Sequence, residues 1–226
     1  MDKKSFKKYF FLWLKELLTG QRFCFWKKEI SAHKNLILVS FIFLVAAIIF
    51  DVISGTYVTR VGIGTPTDII LDHIGPYNLQ VLFGWGYLII MTFFFFFPLF
   101  FKIKSFHRVI SQFSLLIMVR SFFISLTHLR TPEAAIATKF PAIFQPFVFE
   151  NDLFFSGHTA TPFLGFLLFK DSKIRWFFLA ASIFMGATTL LMHRHYSIDV
   201  FAAYFITYGA YKIGNYIFKK IENNRY

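Results

Sequence analysis

Two short polar motifs carry side chains able to move a phosphoryl group. One is Ser156-Gly157-His158-Thr159 and the other is His195-Tyr196-Ser197-Ile198-Asp199. His195 and Asp199 are four residues apart, so a helix presents them on one face. A carboxylate there accepts the proton of one imidazole nitrogen, fixes the tautomer and leaves the other nitrogen free to attack an electrophile. Without that chemistry, Asp199 is an acid favoured by the dipole of the first helical turn, with Ser197 as the cap. The first motif reads as a helix start. Ser156 can cap it, Gly157 lets the backbone approach closely, and the free amides face an anion. His158 then stands beside that anion, placed to give or take a proton.

Other polar residues sit near these motifs. Arg120 lies inside an apolar segment, about two turns from its end. Thr127, seven residues on, shares its face. An arginine in lipid needs a partner, either a phosphate at the membrane surface or a loop carboxylate in a structural ion pair. Asp152 precedes Ser156 by four residues, and Asp68 and Asp72 form a spaced pair in an earlier loop. Taken singly, each reads as a solvated loop charge. His193 and His195, two apart, make a weak ligand pattern, and no metal or other cofactor is expected. Cys24, the lone cysteine, forms no intrachain disulfide and reads as a spectator.

The elements that must position these groups are apolar. Of 226 residues 56% are hydrophobic and 35 are Phe, while 16% are charged, against roughly 25% in soluble domains. Mean hydropathy is +0.56. A soluble chain of this size has no interior able to hide so much apolar surface, so lipid is the expected solvent. Six segments approach the ~20 residues that cross a bilayer: 36–53, 79–101, 109–129, 156–169, 176–192 and 200–218. The expected fold is all-α: a polytopic membrane protein of six transmembrane helices, preceded by an N-terminal amphipathic interfacial helix. In that segment, 1–34, Phe6, Phe10, Trp13, Leu14, Leu17 and Leu18 share one face and lysines lie opposite. The chain thus divides into 1–34, a core at 35–220 and a tail at 221–226.

Charge fixes the expected orientation. With the N-terminus inside, nineteen of the 24 Lys and Arg lie in cytoplasmic segments, four in outer loops, and Arg120 in a span. The net charge of +12 is therefore a topology signal and an anionic-lipid contact, not a nucleic-acid surface. Both termini are expected in the cytoplasm, and both motifs, with Thr127 and His128, at the extracytoplasmic side. Arg120 reads as the one charge near mid-membrane, which leaves little to line a transport path. A non-catalytic lipid binder or scramblase on this scaffold has no need of a nucleophile backed by a carboxylate.

The motifs resemble the sphingomyelin synthase branch of the type-2 phosphatidic acid phosphatase superfamily. The residues that carry the likeness are Asp152-Leu-Phe-Phe-Ser156-Gly157-His158-Thr159 and His195-Tyr196-Ser197-Ile198-Asp199-Val200, followed by Ala202, Ala203 and Tyr204. Arg120 with Thr127 also fits, and Pro66-Thr67-Asp68-Ile69-Ile70-Leu71-Asp72 is a weaker echo of a first-loop motif. Two positions depart: the family's Cys-Gly before the aspartate is Glu150-Asn151, and Thr188-Thr189 stands where the phosphatase branch has Ser-Arg. The resemblance implies catalysis by His158, His195 and Asp199, with Arg120, Thr127, Asp152, Ser156, Gly157, Thr159 and Tyr196 at the substrate. It implies transfer of phosphocholine or phosphoethanolamine from a glycerophospholipid to a lipid alcohol such as ceramide, through a phosphohistidine. The alternative is a lipid phosphate phosphatase with water as acceptor. Partners are the phospholipid and lipid-alcohol substrates and the membrane; no nucleic acid is expected, and an oligomer is compatible with the sequence.

Overall fold

The structure is a computed structural model and describes residues 21–138 and 148–223. Six α-helices carry it: α1 (Gln21–Val61), α2 (Tyr87–Phe101), α3 (Phe106–Leu126), α4 (Gly157–Leu168), α5 (Ile174–Leu191) and α6 (Ser197–Asn223). A turn of π-helix, Leu82–Gly86, leads directly into α2. No strand occurs among the described residues. The protein is an all-α polytopic membrane protein. Four helical stretches are long and apolar enough to cross a membrane: Phe23–Val61, Leu82–Phe101, Ile103–Leu126 and Ile174–Leu191. Helix α4 has only 12 residues, about 18 Å, against the ~30 Å of a bilayer's hydrocarbon core.

Residues 21–34 run without a break into the first expected span, giving one helix of 41 residues. Its length is about 60 Å, twice the hydrocarbon thickness, because nothing between Gln21 and Val61 breaks a helix: no proline occurs there. The amphipathic residues Phe6 to Leu18 lie outside the described residues, as does most of the apolar stretch before Asp152.

Packing between helices follows membrane rules, with small residues and hydroxyls at the contacts. On α1 and α3, Ser40 Oγ and Ser111 Oγ lie 2.8 Å apart, and Ser121 Oγ donates to Asp51 Oδ1 at 2.7 Å. Helix α4 meets α5 where Ser182 Oγ donates to the Thr159 carbonyl at 2.8 Å. Gly165 permits that approach: a Cβ there would lie 2.7 Å from the Phe178 ring. Phe94, Phe113, Phe169 and Phe178 fill the common core. At the other end, three loops are knitted together. Ile63 N–H donates to the His128 carbonyl, Tyr77 N–H to the Leu191 carbonyl, Ile136 N–H to the Met192 carbonyl, and Tyr196 Oη to the Arg130 carbonyl. This knitted end holds the polar motifs.

Candidate active site

The two motifs are in direct contact. Ser156 N–H donates to the Asp199 carbonyl at 3.1 Å, joining the start of α4 to the first turn of α6. A cavity of about 190 Å³ opens beside this junction. Its wall includes His158, His195, Arg120, Asp152, Arg194, Phe83, Tyr87 and Phe149. Both imidazoles thus face one space, although 36 residues separate them.

His195 precedes α6 and is buried. Its Nδ1 lies 3.5 Å from Asp199 Oδ2. Asp199 is fully buried, and the same Oδ2 accepts from Tyr196 N–H at 2.9 Å. The carboxylate therefore lies beside the imidazole and bonds back to the backbone at the start of α6, where Ser197 is the first helical residue and not the cap. With Nδ1 turned to the carboxylate, Nε2 is the nitrogen left for the cavity.

His158 is held differently. Its ring lies between Phe83, at 4.0 Å and 25°, and Tyr87, at 4.2 Å and 37°. Neither aromatic was picked out by the motifs. Their four-residue spacing at the head of an apolar segment was the available signal. The wider π-turn between them separates the rings enough to admit the imidazole, and π-turns recur at functional sites. Tyr87 is fixed in turn by Thr161, hydroxyl to hydroxyl at 3.1 Å. His158 Nε2 is buried and has no hydrogen-bond partner among the described residues.

Arg120 is thoroughly engaged. Nε donates to the Phe155 carbonyl at 2.9 Å and Nη2 to the Asp152 carbonyl at 3.2 Å, while Nη2 also lies 2.7 Å from Asp152 Oδ1 as an ion pair. Nη1 lies 3.8 Å from Asp51 Oδ1. Asp152 is thus an ion-pair partner on the cavity wall, not a solvated loop charge. Asp51 corrects the reading that Arg120 is the one charge near mid-membrane: it lies within span 36–53. Its cue was a lone acid in an apolar run.

The remaining candidates are nearby but do not line the cavity. Gly157 lies against Arg120, where a Cβ would be 3.2 Å from Nε. Ser156 occupies the N-cap position of α4 without a side-chain cap bond. Its Oγ instead accepts from Thr159 Oγ1 at 3.2 Å, because that hydroxyl is buried within reach. Thr127 Oγ1 donates back to the Phe123 carbonyl at 3.0 Å. Tyr196 is buried and its hydroxyl is spent on Arg130. Burial first, then the nearby Asp199, Asp68 and Glu133 charges, push its phenol up to about 12. His193 Nε2 is 2.8 Å from the Ile74 carbonyl, and no metal-binding cluster occurs among the described residues.

Asp68 is buried, against the expectation of a solvated loop charge. Its Oδ1 accepts from Ile70 and Leu71 N–H, and its Oδ2 accepts from Ser197 N–H at 2.6 Å. Burial raises its pKa, but the Ser197, Leu71 and Ile70 donors outweigh it, so the carboxyl lies below its usual range. The loop that follows α1 therefore clasps the head of α6, next to His195.

One segment of the chain is similar to known proteins. Residues 151–216 match the family described as PAP2 superfamily C-terminal. That segment contains His158, His195 and Asp199. Over 63 residues the chain is also 40% identical to human phosphatidylcholine:ceramide cholinephosphotransferase 2. The matched part covers 25% of this chain and 17% of that relative, so the chain spans well under two thirds of the relative it matches. No solved structure matches. Both likenesses fall on the segment whose motifs resemble the sphingomyelin synthase branch.

Proposed function

We propose that the protein moves a phospho-headgroup, phosphocholine or phosphoethanolamine, from a glycerophospholipid to a lipid alcohol such as ceramide. The observation that carries this is the pair of imidazoles on one cavity wall, one backed by Asp199 at 3.5 Å. In the first step His195 Nε2 attacks phosphorus and the bond to the diacylglycerol oxygen breaks. Protonated His158 gives its proton to that oxygen, and a phosphohistidine diester is left. In the second step the acceptor hydroxyl attacks phosphorus, its proton passes to His158, and the P–N bond breaks. Asp199 holds the Nδ1 proton throughout and stabilises the imidazolium.

The proposed arrangement in the membrane is six spans, both termini cytoplasmic and the cavity at the extracytoplasmic side. Purified protein in mixed micelles, given headgroup-labelled phosphatidylcholine with ceramide, is expected to form labelled sphingolipid. Labelled headgroup released to water, with ceramide left unlabelled, would instead assign a lipid phosphodiester hydrolase at the same site.

A further inference from the structure

The cavity holds two guanidinium groups, and they differ in what they have left to offer. A guanidinium has five N–H donors. Arg120 spends two on the Phe155 and Asp152 carbonyls, pairs through Nη2 with the Asp152 carboxylate, and turns its Nη1 edge to Asp51. Two carboxylates therefore offset its charge before any substrate arrives. Arg194 lines the same cavity and is half-buried, yet its side chain makes no hydrogen bond or ion pair with any described residue.

The backbone that carries Arg194 is anchored. Its N–H donates to the Thr189 carbonyl at 2.9 Å. His193, just before it, has φ 53° and a ring nitrogen 2.8 Å from the Ile74 carbonyl. His195 follows immediately. An uncommitted cation thus extends from a fixed turn, one residue from the proposed nucleophile. Burial works against its charge, and Glu150 and Asp152 only partly compensate, so an arriving anion meets a cation that gains by pairing.

We infer that Arg194 is the phosphate clamp of this site: its guanidinium grips the non-bridging phosphoryl oxygens, while Arg120 is a positioning residue that holds 152–155 beside His158. The inference rests on the phosphoryl-transfer reading above. Negative charge on those oxygens grows as phosphorus becomes five-coordinate, so the grip tightens most in the transition state. Arg194 makes and breaks no covalent bond.

The test uses the full chain in mixed micelles, with Arg194→Gln and Arg194→Lys. Two quantities are read: affinity for orthovanadate, a five-coordinate phosphoryl mimic, and turnover of headgroup-labelled phosphatidylcholine. In Arg194→Gln, vanadate affinity is expected to fall at least about tenfold, and kcat about 10²–10³-fold with KM little changed. Arg194→Lys should recover part of both, because a point charge lacks the bidentate fork. Melting temperature should hold, since no intrachain bond is lost. Wild-type vanadate affinity and kcat in Arg194→Gln would overturn the clamp. So would a melting temperature that drops in step with activity in both variants, which would assign a structural role. Vanadate bound through Arg194 without headgroup release by the wild type would keep the clamp and remove the transfer reading.

Discussion

At His195 the chemistry depends on one carboxylate, and the neighbouring bonds say which substitution isolates it. Asp199→Asn keeps an oxygen at the place that Tyr196 N–H and His195 Nδ1 share, but removes the negative charge that would stabilise the imidazolium. Turnover is expected to fall about 10³–10⁴-fold with the fold retained, read by labelled-lipid kinetics beside circular dichroism. His158→Gln should cost about 10²–10⁴-fold, the usual value of positioned acid–base help, and flatten one limb of the pH–rate profile. These residues were legible because motif spacing alone brings His195 to Asp199 and sets His158 at a helix start. Asp68 was not legible. Its bonds to Ser197 span 129 residues, and nothing local to Asp68 announces them. Its lowered pKa gives a signed prediction. The unfolded carboxyl titrates at about 3.9. The stabilisation is complete above that value and is lost as pH falls through the lower folded value. Asp68→Asn should cost about 1–3 kcal/mol near neutrality and flatten the acid limb of melting temperature against pH.

At the scale of elements, one loop residue and the first residue of α4 decide whether that helix starts where it must. Asn151 sits at φ 61°, a region that favours Gly and tolerates Asn. This gives a physical reason for the departure from the family's Gly at that place. Asn151 also adds bonds a glycine lacks: Thr131 N–H donates to its Oδ1 at 2.9 Å, and its own N–H donates to Thr131 Oγ1 at 3.1 Å. Asn151→Ala should therefore be worse than Asn151→Gly, by about 1 kcal/mol from the left-handed backbone alone, as measured by thermal melts in detergent. Gly157 answers to a different constraint. A methyl there presses on the Arg120 side chain, which the Phe155 and Asp152 contacts hold in place. Gly157→Ala is expected to cost about 1–3 kcal/mol and to depress turnover as Asp152 is displaced. The six helices were readable from apolar runs. The 41-residue α1 was not, because basic residues in 21–34 suggested a break that the backbone does not make.

For the whole molecule, the knitted loops at one end and the basic residues at the other describe a polarised bundle. The lone Cys24 makes its orientation easy to test after conversion to serine. A single cysteine at exposed Thr67 should react with an impermeant maleimide added to intact cells, and one at exposed Lys173 only after permeabilisation. The opposite pattern would reverse the proposed sidedness while leaving the site intact. Asp51 belongs to this scale too, because it ties α1 to the Arg120 cluster of α3 and, through Arg120, to the 152–155 loop.

The two rings stacked on His158 restrict what can happen there. An imidazole packed against both Phe83 and Tyr87 is denied the swing by which a surface histidine shuttles between solvent and substrate. The lipid oxygen must therefore travel to a stationary donor. Catalysis at such a centre is paced by how the acyl-bearing molecule seats itself, and a bulkier or shorter tail should alter turnover without touching any ionisable group.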